Sequence, residues 1–319
     1  MTVTSPRATR PSRTRASAGP AVRRTTGATR ARARLPWLLS APGLVFVAVL
    51  LVYPALEAIA SGFFRQAGRG YYQRELVGLD HFTKLLGDTQ VLATFWRTAL
   101  WVAAVTILSY VIGLGIALML HRRFRGRVIV RSLVLVPWAV PFVAAAFAWN
   151  NIYDGRYGVL NHVLSTLGLV DGPVHWLGQP STSLWAVIVV AVWKQVPFVA
   201  VTLLAGLQSI GGEYYEAAEL DGASAGQQFR YVTWPSIAGV STIVIGFTTI
   251  WTYNQFDLIF LMTGGGPAGS SQIISVFTYL SAFSFGNTNY AAAIGTFGLL
   301  VLALLIVPFA RLVTRRSAA

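Results

Sequence analysis

The sequence has no cysteine, so neither a disulfide framework nor a thiolate metal site is open to it. Charge is scarce: 11% of the 319 residues are charged, where a water-soluble domain carries about 25%. Lysine is nearly absent. Lys84 follows Thr83 and Lys194 follows Trp193, so no Gly-Lys-Ser/Thr phosphate-binding loop exists and ATP hydrolysis by that route is excluded. His81, His121, His162 and His175 are scattered, without the His-Glu-x-x-His spacing of a zinc protease. A Gly-x-Ser-x-Gly nucleophile elbow is also missing. The residues offer a pathway without a catalytic constellation, and no cofactor or metal is expected.

What the chain does have is apolar length. It is 55% hydrophobic, with a mean hydropathy of +0.59. Crossing roughly 30 Å of hydrocarbon takes about 20 helical residues. Runs of that kind occur near Trp37–Phe64, Phe95–Leu120, Val128–Trp149, Leu184–Gln208, Ile237–Met262 and Tyr290–Val313. The expected fold is all-α and polytopic, with six transmembrane helices and both termini on one side. Arginine decides which side. The N-terminal arm, the loop Arg122–Arg131, Arg230 and the tail residues Arg311, Arg315 and Arg316 hold most of the 25 basic residues. Arg65, Arg69, Arg74, Lys84 and Arg156 fall in the opposite loops. Both termini are therefore expected in the cytoplasm.

Residues 1–35 form an arm rich in Arg, Pro, Ser, Thr, Gly and Ala with no acidic residue, the composition of a disordered segment. The chain's net charge of +14 is concentrated there. Retention of the N-terminus inside, with contact to anionic membrane lipid, accounts for the arm, and no nucleic-acid partner is expected. Ala58-Ile59-Ala60 has the look of a signal-peptidase site, but the apolar run before it is too long for a signal peptide, so an uncleaved anchor is expected. The remaining domain spans residues 36–315.

One island interrupts the apolar pattern. Residues 213–235 read EYYEAAELDGASAGQQFRYVTWP, and the carboxylates Glu213, Glu216, Glu219 and Asp221 must lie outside the hydrocarbon. Gly211-Gly212 breaks the fourth span. Acids in the first turns then favour a short helix over Glu213–Asp221, ended by Gly222. Ser224-x-x-Gln227 has capping-box spacing for a second short helix, and Pro235 suits the first turn of the next span. Tyr214, Tyr215, Phe229, Tyr231 and Trp234 are interleaved with the acids. A merely solvated loop has no need of them, so the island reads as a docking surface.

These residues resemble the EAA loop of permease subunits in binding-protein-dependent ABC importers. Glu216-Ala217-Ala218, Asp221-Gly222-Ala223, Phe229, Val232, Trp234 and Pro235 stand at the spacing of that pattern. Val232 and Trp234 replace its usual Ile and Leu. Leu135-Val136-Pro137-Trp138, Tyr157-Gly158-Val159-Leu160-Asn161, Ala205 to Ile210, Met262 to Pro267 and Tyr290 to Ala293 look like the carbohydrate-uptake group, that of maltose, multiple-sugar and glycerol-3-phosphate importers. The resemblance implies a type I ABC importer permease in a bacterial plasma membrane, paired with a second, homologous permease subunit as a heterodimer. It further implies two cytoplasmic ATP-binding subunits, an extracytoplasmic solute-binding protein and a carbohydrate substrate. Glu213, Glu216, Ala217, Ala218, Asp221, Gly222 and Pro235 then form the ATPase-coupling segment.

For the solute pathway, Gly246, Thr249, Tyr253, Asn254 and Asp257 recur at three- and four-residue steps, one polar stripe expected to face the pore. Lys194, near the middle of the fourth span, must point inward or find a partner, and Asp257 is one candidate. A buried Lys194–Asp257 ion pair and direct solute contact are both open. Trp149 and Asn150 are weaker candidates, and Pro137, Pro141, Pro197 and Pro308 mark kinks. The competing reading is a secondary transporter driven by an ion gradient, with Asp257 and Lys194 as relay groups. It leaves the acidic island unexplained.

Overall fold

A computed structural model describes residues 39–66, 74–122 and 124–317; the basic arm lies outside them. The first helix, α1 (Leu39–Ser61), is continuous over 23 residues and apolar enough to cross a bilayer. Ala55 closes one compact unit of the chain and Leu56 opens a second.

In the second unit, the hairpin β1 (Phe64–Gln66) and β2 (Arg74–Leu76) pairs Phe64 with Leu76 and Gln66 with Arg74. These strands are short interruptions of an otherwise helical chain. Helices follow in order: α2 (Asp80–Gly87), α3 (Thr89–His121), α4 (Arg127–Ala139), α5 (Phe142–Ile152), α6 (Val159–Thr166) and α7 (Ser183–Gln208). Beyond them lie α8 (Gly212–Leu220), α9 (Ala225–Tyr253), α10 (Asp257–Thr263), α11 (Ile274–Ser284) and α12 (Thr288–Ser317). Helices α1, α3, α7, α9 and α12 are each long and apolar enough to span, and the bent pair α4–α5 makes a sixth.

The core is built along α3 and α7. Trp101, Val187, Val190, Val199, Leu203 and Leu207 are all fully buried, whereas Ile107, Val111, Val189 and Leu304 face outward, as apolar side chains do when the surrounding solvent is lipid. Close approach of the two helices depends on Gly113, where an added Cβ would lie 2.7 Å from Val199 Cγ1. Asp88 caps α3 by accepting from the N–H groups of Gln90 and Val91, at 2.9 and 3.4 Å, and Tyr290 donates its hydroxyl proton to the same carboxylate at 3.1 Å. Trp101 donates its indole N–H to Thr252 O at 3.0 Å, tying α3 to the last turn of α9.

Two expectations about the spans need correction. The run Val128–Trp149 is two helices that meet at 97°, because Pro141 has no N–H to continue the ladder and its neighbour Val140 is extended. The run Ile237–Met262 is likewise split: α9 ends at Tyr253, and Met262 belongs to α10. Pro235 lies in the first turn of the helical segment Trp234–Tyr253, as its position suggests. It sits inside α9, just after a widened turn over Phe229–Thr233 in which Trp234 N–H bonds Phe229 O, and that extra residue makes room for a ring without an N–H.

Beyond the C-terminal end of α5, in α6, Asn161 is buried and fixes the loop around it. Its amide donates to Asp154 O, Gly155 O and Val174 O and accepts from the Trp176 indole at 2.8 Å. The Asp154 carboxylate accepts from the N–H groups of Tyr157 and Arg156, which holds it below the usual carboxylate range. Replacing Gly113 by Val should force α3 away from α7. Overpacking of this kind costs about 1–3 kcal/mol, visible as a lower midpoint for thermal unfolding of the detergent-purified protein; an unchanged midpoint would show that the contact is slack.

Candidate functional site

The acidic island folds as a ledge. Gly211 is extended and starts α8, with Glu213 in its first turn, where a carboxylate meets the positive end of the helix dipole. The far end closes in a Schellman motif: Gly222 N–H bonds Glu219 O at 3.0 Å and Ala223 N–H bonds Ala218 O at 2.9 Å. Gly222 itself has φ +75°, a conformation that side chains with a Cβ resist. The second helix starts where its spacing predicts, with Gln227 Oε1 accepting from Ser224 N–H at 2.7 Å.

The ledge has an anchored underside and a bare top. Tyr215 shares a hydrogen bond of 3.0 Å with the buried Thr233 hydroxyl of α9, and its ring lies 6.4 Å from that of His121 at the end of α3. Ala218 is half-buried. Glu213, Glu216, Ala217, Asp221, Gly222 and Pro235 are all exposed, together with Leu220, which is 90% exposed, Tyr214 and Tyr231. The ledge thus presents a mixed apolar and acidic surface on a pinned helix.

The polar stripe expected along the fifth span does not face one cavity. Helix α9 stops at Tyr253, and the chain unwinds over Asn254, Gln255 and Phe256 before α10 begins at Asp257. Thr249 and Tyr253 turn toward α3 and α12, where they line a cavity of about 220 Å³ with Phe95, Val102 and Leu305. Tyr253 is buried and donates to Gly298 O at 2.7 Å; Thr249 donates to Ile245 O at 2.8 Å. Gly246 packs beneath the Phe309 ring. Asn254 and Asp257 line a different cavity, of about 360 Å³, with Phe142, Phe247, Trp251 and Gln255. Trp251 and Phe247 precede Asn254 by three and seven residues, so they share its helical face; that spacing was the available signal for them. Phe142 comes from α5 and carries no such signal. Trp149 lines a third cavity, an apolar one, with Tyr153, Trp176 and Trp185, so it and Asn150 stand apart from the unwound corner.

Lys194 does not pair with Asp257. Among the described residues the ion pairs are Arg65–Asp80 and Arg74–Glu57. The Lys194 ammonium instead donates to Pro137 O at 3.2 Å and Val140 O at 2.5 Å, and lies 4.5 Å from the centroid of the Phe142 ring. The reason lies in the broken third span. Helical geometry would give Pro137 O the N–H of residue 141, and that residue is proline; Val140 O loses its donor to the bend. In hydrocarbon an unpaired carbonyl is costly, and the buried ammonium supplies what the backbone lacks while the ring offers its negative face. With this partner set, two of the three ammonium N–H groups go to the broken span and none to Asp257.

Lys194→Met therefore strands two carbonyls, a loss of about 1–3 kcal/mol, and should lower the thermal midpoint of the purified protein, while Asp257→Asn should not move it. Equal destabilisation by both substitutions would restore the ion pair.

Comparison with known proteins agrees with this arrangement. The family model described as binding-protein-dependent transport system inner membrane component matches residues 109–318. The trehalose/maltose transport system permease protein MalF of Thermococcus litoralis is 34% identical over 262 residues, 82% of this chain and 88% of its own length. The sulfoquinovosyl glycerol transport system permease protein SmoG of Agrobacterium fabrum is 32% identical over 259 residues, 81% of this chain and 83% of its own length. A crystal structure of a bacterial ABC transporter involved in the import of the acidic polysaccharide alginate superposes with a TM-score of 0.78 over 91% of this chain and 98% of that one; at 22% identity it establishes a shared fold. A multi-pass helical bundle with an exposed acidic ledge and a matching family model over most of its length, this chain belongs to the inner membrane components of binding-protein-dependent transport systems, the permeases of ABC importers.

Proposed function

We propose that the chain is one of two homologous permease subunits of an importer for a sugar or related polyol. An extracytoplasmic solute-binding protein delivers the cargo, and two ATP-binding subunits act from the cytoplasm. The observation that carries this reading is the ledge. A helix closed at its C-terminal end by a Schellman motif, exposed along Glu213, Glu216 and Leu220, and pinned below by Tyr215, has the form of a lever that a partner can grip. Its motion would pass through Thr233 into α9 and through His121 into α3.

The orientation follows from arginine. The arm, the Arg122–Arg131 loop and the tail favour the cytoplasm, which puts the ledge on the same side as the ATP-binding subunits and the Asn161 loop on the side of the binding protein. Carbohydrate cargo is supported by relatives named for trehalose/maltose and sulfoquinovosyl glycerol transport. Aromatic faces beside amide and carboxylate groups at the unwound corner suit a polyhydroxylated solute, whose hydroxyls can exchange water for side-chain partners. Of the stripe, Asn254 and Asp257 belong to that pathway; Thr249, Tyr253 and Lys194 act as its frame. This chain then performs no hydrolysis itself and converts the closing of its partners into alternating access by rigid-body movement.

Glu216→Ala and Gly222→Glu should each abolish solute uptake and solute-stimulated ATP hydrolysis by the reconstituted complex while leaving the amount of inserted chain unchanged. Normal uptake in both would refute the docking role of the ledge.

A further inference from the structure

The unwound corner presents one sign of charge. Asp257 is exposed at the start of α10; among the described residues it makes no ion pair, and it is the charged member of a cavity wall whose described residues include no Lys or Arg. Asn254 gives an N–H to Ile250 O at 2.8 Å, which leaves its amide oxygen as an acceptor. Lys194 is not part of this wall; its ammonium lies 4.5 Å from the centroid of the Phe142 ring and gives two of its three N–H groups to Pro137 O and Val140 O. A solute placed here meets aromatic faces from Phe142, Phe247 and Trp251, and acceptors from Asn254 and Asp257.

We propose that this cavity selects by charge, admitting uncharged sugars and polyols and turning away sugar acids, sulfonates and phosphate esters, with Asp257 as the group that decides. The inference rests on the reading of the corner as part of the solute pathway. Hydroxyl groups are donors and can satisfy a carboxylate. A solute carboxylate, sulfonate or phosphate offers only acceptors and a like charge, and among the described wall residues it finds no cation to offset that charge. Two N–H groups of the Lys194 ammonium are already given to the carbonyls of the broken span.

The test uses the purified importer complex and equilibrium dialysis at fixed ionic strength, with maltose, trehalose and glycerol as uncharged probes and glucuronate and glycerol 3-phosphate as anionic ones. The uncharged members should bind at least tenfold more tightly than the anionic ones, and Asp257→Asn should shrink that ratio severalfold, with Asp257→Lys reversing it. A ratio near one in the unsubstituted complex, or a ratio that Asp257→Asn and Asp257→Lys leave unchanged, overturns the charge filter. Trp251→Ala and Asn254→Ala separate the two levels of the argument. If they weaken all bound probes while the charge ratio is flat, the corner stands as the pathway and the filter alone falls; if they alter no probe, or if no probe binds, both fall.

Discussion

A backbone polar group in hydrocarbon must find its partner within the protein, and the broken third span is where this chain meets that demand in an unusual way. Pro141 removes a donor, the chain bends by 97°, and the Lys194 ammonium of α7 takes up the two stranded carbonyls. The consequence reaches beyond local pairing. With Lys194 bound there, α7 is tied to the end of α4, and Phe142 at the start of α5 both contacts the cation and lines the corner cavity. A second break, after Tyr253, is met by ordinary means: Trp101 takes Thr252 O and Ser275 takes Gln255 O at 2.7 Å. Two interrupted helices thus converge on one cavity, in keeping with the rule that irregular backbone at membrane depth lines a protein-enclosed space.

Away from the corner, the chain gathers Glu213, Glu216, Glu219 and Asp221 in one island. The ledge needs no buried ion pair, only caps: Gly222 at φ +75° closes α8, and Gln227 secures the next turn. Because Tyr215 joins this ledge to both α3 and α9, and α9 ends at the corner that holds Asn254, a displacement at the ledge has a packed route to the cavity. The widened turn at Phe229–Thr233 lies on that route and lets Pro235 ride within the helix without breaking it.

Legibility in the sequence followed periodicity. Apolar runs and the Glu216-Ala217-Ala218 to Gly222 pattern determine the all-α class, the spans and the ledge, since each depends on short-range chemistry: length against bilayer thickness, glycine at a positive φ, a capping box. What the sequence hid are pairings between distant segments. Lys194 had an acid within plausible reach in Asp257, and nothing local reveals that carbonyls 54 and 57 residues earlier would claim it. The stripe from Gly246 to Asp257 reads as one helix, and a helical face cannot survive three unwound residues; Thr249 and Tyr253, still within α9, face α12, and the break leaves Asn254 and Asp257 with Trp251. Phe142 joined them through a bend whose angle no spacing encodes.

The central claim is that this chain moves solute only with force applied to it from outside the membrane. Proteoliposomes containing the chain with its second permease and ATP-binding subunits, supplied with the binding protein, should accumulate saccharide when ATP is present and lose that ability when ATP or the ATP-binding subunits are withheld, whatever ion gradient is imposed. Uphill accumulation by the chain alone, driven by a proton or sodium gradient, would contradict the account.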